Sequence, residues 1–127
     1  MKTEQEDYIL IIDDSETNNI LLEALLEKAG YKTKSARSAN EGWKLIHQEL
    51  PKLILLDLLM PKISGFHMLS KLQSNEKYGN IPVIIVSALN EQDTINMLLK
   101  SGAVDFFSKP IDIHGIVDRV KEIVPID

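Results

Sequence analysis

Three short stretches of this chain are apolar almost without a break: YILII at Tyr8–Ile12, KLILL at Lys52–Leu56 and IPVIIV at Ile81–Val86. They are rich in β-branched residues and too short to be buried helices. Unbroken rather than alternating apolarity marks strands covered on both faces, as in a parallel sheet flanked by helices. Two weaker candidates complete the set. YKTKSA at Tyr31–Ala36 alternates and is more polar, which suits a sheet edge. VDFF at Val104–Phe107 is short and follows Gly102, a helix stop.

The segments between these runs carry helical spacing. Leu21, Leu22, Leu25 and Ala29 recur at that period, and Gly30 closes the helix. Ser38 with Glu41 forms a capping box ahead of Trp43, Leu45 and Ile46. Ser64 is placed to cap a helix burying Met68, Leu69 and Leu72, and Asn90 one burying Ile95, Leu98 and Leu99. Asp112 is placed to cap a helix burying Ile116, Val117, Val120 and Ile123. The sum is (βα)5, an α/β chain with a doubly wound parallel five-stranded sheet. At 127 residues one domain is expected over 1–127, with its core at about 7–124.

Composition removes several functions. The absence of cysteine excludes disulfides, zinc thiolates and thiol chemistry. A net charge of −5 without a basic block argues against a nucleic-acid surface. The opening MKTEQED lacks the apolar centre of a signal peptide, and no apolar run reaches membrane-spanning length. A cytoplasmic domain is the expectation. His47, His67 and His114 are not spaced as a metal trio and are expected at the surface, while Trp43 is expected to pack the second helix on the sheet.

Open parallel sheets bind ligands at the carboxyl ends of their strands. The first strand runs into Asp13-Asp14, the third into Asp57, the fourth into Ser87, and the fifth is followed by Lys109-Pro110. Only the second, ending in Ser35-Ala36, offers little. Each piece has an ordinary explanation alone: a turn, a cap, a solvated lysine. Asp57 is the exception, because burying a bare carboxylate is costly unless something pairs with it. Three crowded carboxylates resist ionising together. A hard divalent cation relieves this, and Mg²⁺ keeps open positions for phosphate. With Lys109 and Mg²⁺ the formal charges sum to zero. Such a pocket suits an incoming phosphoryl group, with a carboxylate oxygen as the attacking atom.

These motifs resemble the receiver domains of two-component response regulators, of which the chemotaxis regulator CheY is the familiar type. The matching stretches are IIDDSETN with Asp13 and Asp14, DLLMPKISG with Asp57, Met60, Pro61 and Gly65, VSA with Ser87, and DFFSKP with Phe106 and Lys109-Pro110. They keep the family's order and spacing across nearly the whole chain.

The resemblance implies a flavodoxin-like sheet of strand order 2-1-3-4-5. It implies a Mg²⁺-dependent phosphorelay in which Asp57 accepts a phosphoryl group from a sensor histidine kinase or phosphotransfer protein. Mg²⁺ (or Mn²⁺) would be held by Asp14, Asp57 and the Leu59 carbonyl, with Asp13 acting through water. Ser87 and Lys109 would hold phosphoryl oxygens. Ser87 and Phe106 would be the switch residues, and the Lys109-Pro110 bond would be cis. Signalling would leave through the fourth helix, fifth strand and fifth helix, to a partner or output domain or through a phosphorylation-dependent homodimer.

Four positions depart from the commonest pattern: Ser87 for threonine, Phe106 for tyrosine, and leucine at both 59 and 89. Two leucines flanking the site should exclude the attacking water, giving slow self-dephosphorylation. The chemistry is self-catalysed phosphoryl transfer rather than turnover. Two alternatives stand beside it. A haloacid-dehalogenase-type phosphatase wants an Asp two residues after the nucleophile, where this chain has Leu59. An interaction module independent of phosphate is the other.

Overall fold

The computed structural model describes residues 7–60 and 64–126. Five strands alternate with five helices: β1 (Tyr8–Ile12), α1 (Glu16–Lys28), β2 (Lys32–Ala36), α2 (Ala39–Gln48), β3 (Leu53–Leu56), α3 (Gly65–Ser74), β4 (Val83–Ser87), α4 (Gln92–Lys100), β5 (Asp105–Ser108) and α5 (Ile113–Ile123). All pairings are parallel and the order is β2-β1-β3-β4-β5. This is the (βα)5 architecture and strand order expected, with the polar strand β2 at an edge.

The unbroken apolar runs divide between two cores. Leu10, Ile12, Ile54, Leu56, Val83 and Ile85 face Ile46, Met68, Leu69, Leu72 and Leu98. Ile9, Ile11, Leu53, Leu55, Ile84 and Val86 face Leu22, Leu26, Ile116 and Val120. Successive strand residues point to opposite faces, so each run serves both. Each fully buried aliphatic side chain contributes roughly 1.5–3 kcal/mol. Phe106 and Phe107 split in the same way, one packing on each core.

Caps behave largely as read. Ser38 Oγ accepts from Glu41 N at 3.1 Å, Ser64 Oγ from His67 N at 3.3 Å and Asp112 Oδ1 from Gly115 N at 3.1 Å. Gly30 and Gly102 end α1 and α4 with φ of 104° and 116°, values that other residues adopt only under strain.

Four readings change. Asn90 does not cap α4: the helix starts one residue later than that placement needs, Glu91 sits at its N-cap, and no side chain caps it. Leu99 is exposed; Leu98 is the buried residue of α4, which rests at the sheet margin and has a narrow apolar stripe. On α1 the buried stripe is Asn19, Leu22 and Leu26, and Leu21 faces outward. β5 lies one residue later than read, at Asp105–Ser108.

His47, His67 and His114 are all exposed. Trp43 is partly buried on the α2–α3 side of the sheet, stacked on His47 and tilted against Tyr78.

Candidate functional site

The parallel register builds the site. Ile12 pairs with Leu56, so the residues that follow, Asp13 and Asp57, emerge side by side. The Asp57 amide donates to the Ile12 carbonyl at 2.9 Å, carrying the ladder one step past the strand. At the other side Ser87 pairs with Ser108, and the Lys109 amide donates to the Ser87 carbonyl at 2.9 Å. The Lys109-Pro110 peptide is cis.

The side chains converge. Lys109 Nζ lies 2.8 Å from Asp13 Oδ2 and 3.2 Å from Asp57 Oδ2, bridging strands β1 and β3 from beyond β5. Asp57 Oδ1 accepts from the Leu59 amide at 3.1 Å, and Asp13 Oδ1 from the Ser15 amide at 2.9 Å. Asp13, Asp57 and Ser87 are buried and Asp14 is half-buried. One carboxylate oxygen from each of Asp13, Asp14 and Asp57 lies within 4.8 Å of the others.

The loop after β3 is tightly seated. Leu58 and Met60 are buried, and the Gly65 amide donates to the Leu58 carbonyl at 3.1 Å. A Cβ on residue 65 would collide with the Asp57 carbonyl oxygen and Leu58 Cα. Glycine is therefore required beneath the acid by close approach, not by backbone conformation. Pro61, part of the same motif, lies outside the described residues.

Charge is not balanced by the protein alone. Burial pushes the Asp57 carboxyl above its ordinary value; the Leu59 amide pulls it back, the Asp13 charge raises it again and Lys109 lowers it, and the net shift is upward. Burial alone would lower Lys109, but its bond to Asp13 and the charges of both acids overcome this, and its ammonium is held above the ordinary value. One lysine does not satisfy three carboxylates. The donors are all hard oxygens, with no imidazole or thiolate among them, so the site fits a hard divalent cation such as Mg²⁺ or Mn²⁺.

The remaining residues read from the sequence sit around this centre. Ser87 is fully buried at the end of β4, its Oγ 3.5 Å from the Leu89 amide. Leu59 is 51% exposed beside Asp57, whereas Leu89 packs against the core. Phe106 is half-buried on β5. Two residues escaped the reading. Asn19 Nδ2 donates to the Asp13 carbonyl at 2.9 Å and lies 3.4 Å from the Ala36 carbonyl. Arg37 donates from Nε and a terminal nitrogen to the Asp14 carbonyl, at 3.3 and 3.2 Å. A polar residue on the apolar stripe of α1 was the available signal for Asn19; Arg37 gave none.

The family model of the response regulator receiver domain matches residues 9–121. The chain belongs to this family. The receiver domain is 36% identical over 118 residues to sporulation initiation phosphotransferase F of Bacillus subtilis, covering 93% of this chain and 94% of that protein. It is 38% identical over 117 residues to the DNA-binding dual master transcriptional regulator RpaA of Synechocystis, covering 91% of this chain but only 48% of that one. It thus spans nearly all of one relative and about half of the other. Among solved structures, the receiver domain of the Francisella response regulator 1452 superposes with a TM-score of 0.85 at 30% identity, over 92% of this chain and 95% of that one.

Receiver domains are modules of phosphorelay signalling; they interact with histidine kinases or phosphotransfer proteins and with output domains, and they generally bind Mg²⁺ at an acidic pocket. Among the described residues no helix is long and apolar enough to cross a membrane.

Proposed function

We propose that Asp57 is the phosphoacceptor of this receiver domain. The observation that carries the reading is a buried carboxylate whose Oδ2 lies 3.2 Å from a lysine ammonium at the shared strand edge, within reach of two further carboxylates. An Asp57 oxygen attacks the phosphorus of a donor phosphohistidine. The P–O bond forms as the P–N bond breaks, and the electron pair of that bond stays on the departing imidazole. Lys109, already oriented on Asp57, follows the phosphoryl oxygens, and the Ser87 hydroxyl donates to another.

Asp13, Asp14, Asp57 and the Leu59 carbonyl are the groups that would hold Mg²⁺, Asp13 through water. When bound, the cation neutralises the charge gathering on the phosphoryl oxygens.

Capture of Ser87 by the new oxygens draws the β4–α4 loop inward, and Phe106 follows into the space. The readout face is α4, β5 and α5, which meets an output partner or a second copy of the chain. Leu59 and Leu89 keep water from the acyl phosphate, so its lifetime is long. The donor is a cytoplasmic histidine kinase or phosphotransfer protein, and the domain itself does not contact nucleic acid.

Incubation with acetyl phosphate and Mg²⁺, followed by intact-mass measurement, tests the reading. A gain of one phosphoryl group that disappears in Asp57→Asn is expected. No gain in the wild type would make this a module that signals without phosphate.

A further inference from the structure

β2 supplies no group to the chemistry, yet the acidic loop is anchored on it. The Asp13 amide donates to the Ala36 carbonyl at 3.1 Å, tying the end of β1 to the end of β2. Asn19 Nδ2 reaches the carbonyls of both Asp13 and Ala36, at 2.9 and 3.4 Å. Asn19 is almost completely buried, and its Oδ1 has no hydrogen-bond partner. A buried amide on an apolar helix stripe, held by its donor end alone, is there for the carbonyls it contacts. One residue further on, the Asp14 carbonyl accepts the fork of Arg37, whose Nη1 is 3.8 Å from Glu16 Oε2 at the start of α1.

We propose that Asn19 and Arg37 are positioning residues for the acidic pair: they hold the consecutive carbonyls of Asp13 and Asp14 and thereby set the cation affinity of the site. Mg²⁺ demands near-ideal octahedral geometry and tolerates little displacement of its ligands. A peptide unit fixed on both of its flanking carbonyls leaves the Asp14 side chain little room to swing away. This inference rests on the cation-binding part of the proposed function.

Arg37 allows a test in which two explanations predict opposite signs. It is exposed, so its replacement leaves the fold intact. If it acted only as a charge near the pocket, its removal would tighten Mg²⁺ binding by reducing repulsion. If it positions Asp14, its removal weakens binding. Arg37→Lys keeps the charge but loses the two-donor fork.

The measurement is thermal unfolding as a function of Mg²⁺, read alongside Mg²⁺-dependent phosphorylation by acetyl phosphate. Arg37→Ala and Arg37→Lys should each raise the Mg²⁺ concentration for half of the Tm increase about tenfold, the scale seen when groups supporting metal ligands are lost. The metal-free Tm should stay within a degree or so of wild type, as for other exposed substitutions. Asn19→Ala should shift the Mg²⁺ dependence in the same direction, with a lower metal-free Tm. An unchanged or lowered half-saturation in Arg37→Ala overturns the inference, as does full rescue by Arg37→Lys. If the wild type binds Mg²⁺ and takes up phosphoryl while the variants match it, the clamp alone falls. If the wild type does neither, the proposed function falls and this inference with it.

Discussion

The two ends of the same sheet treat buried polar groups in opposite ways. At the amino end, the Tyr8 hydroxyl donates to the Glu49 carbonyl at 2.5 Å and the Tyr31 hydroxyl to the Val124 carbonyl at 2.6 Å. Both phenols are buried neutral groups with partners, and they tie the ends of α2 and α5 back to β1 and to the residue just ahead of β2. At the carboxyl end, Asp13 and Asp57 share one ammonium, and Asp14 brings a third carboxylate to the same place. The amino end is built for stability. The carboxyl end gathers three carboxylates near a single lysine, a donor set that fits a hard divalent cation.

Titration sharpens the contrast. Burial, then the charge of Glu49, push the Tyr8 phenol up to about 12. A raised tyrosine contributes stability that is full below its unfolded value and is lost only as pH climbs through the folded one. That contribution is complete at neutral pH. The Asp57 carboxyl is also raised, mainly by burial, but for an acid the upward shift has the opposite consequence. Its contribution is present while it is protonated and is lost as pH rises through the raised value. The ionised form of Asp57 is thus the one that the metal-free fold disfavours.

The largest expected effect is at the carboxyl end: Asp57→Asn should abolish phosphoryl uptake outright, measured by intact mass. Next comes the lifetime of the product. Leu59→Asn and Leu89→Glu should each speed loss of the acyl phosphate about tenfold, equivalent to ~1.4 kcal/mol of barrier, in a phosphate-release assay. No acceleration in either would remove the water-exclusion argument. At the amino end, Tyr31→Phe leaves the Val124 carbonyl without its donor and should cost ~1–2 kcal/mol in urea unfolding. Phosphorylation should be untouched; a change in its rate would mean that the two ends are coupled. The smallest effect has the opposite sign. Without metal, Asp57→Asn should melt a few degrees above wild type at pH 7, and the gap should close as pH falls through the raised carboxylate value. A lower melting temperature for the variant would contradict the strained-charge account.

The sequence carried the carboxyl end well because its logic is one-dimensional. Asp13, Asp57, Ser87 and Lys109 each stand just beyond, or at the end of, an apolar run. In a parallel sheet the ends of such runs must meet, so their convergence needs no knowledge of side-chain packing. What depended on rotation about a helix axis or on exact helix starts was less legible. Leu21 and Leu26 both fit a helical stripe, and only packing against Ile9 and Ile11 selects Leu26. Asn90 is a good capping residue placed one position too early. Arg37 was invisible because its partner is a backbone carbonyl, which every residue possesses. Tyr31 was read as part of an edge strand, and its bond to Val124, ninety-three residues away, has no local signature.

The central claim, that the surplus charge at the carboxyl edge exists to receive a phosphoryl group on Asp57, is tested most directly by locating the acyl phosphate. The receiver domain is incubated with Mg²⁺ and acetyl phosphate, then treated with borohydride, which reduces an aspartyl phosphate to homoserine. Peptide mass mapping should find homoserine at position 57 and aspartate unchanged at positions 13 and 14. Homoserine at another position, or none in protein that is folded and bound to Mg²⁺, would contradict the account.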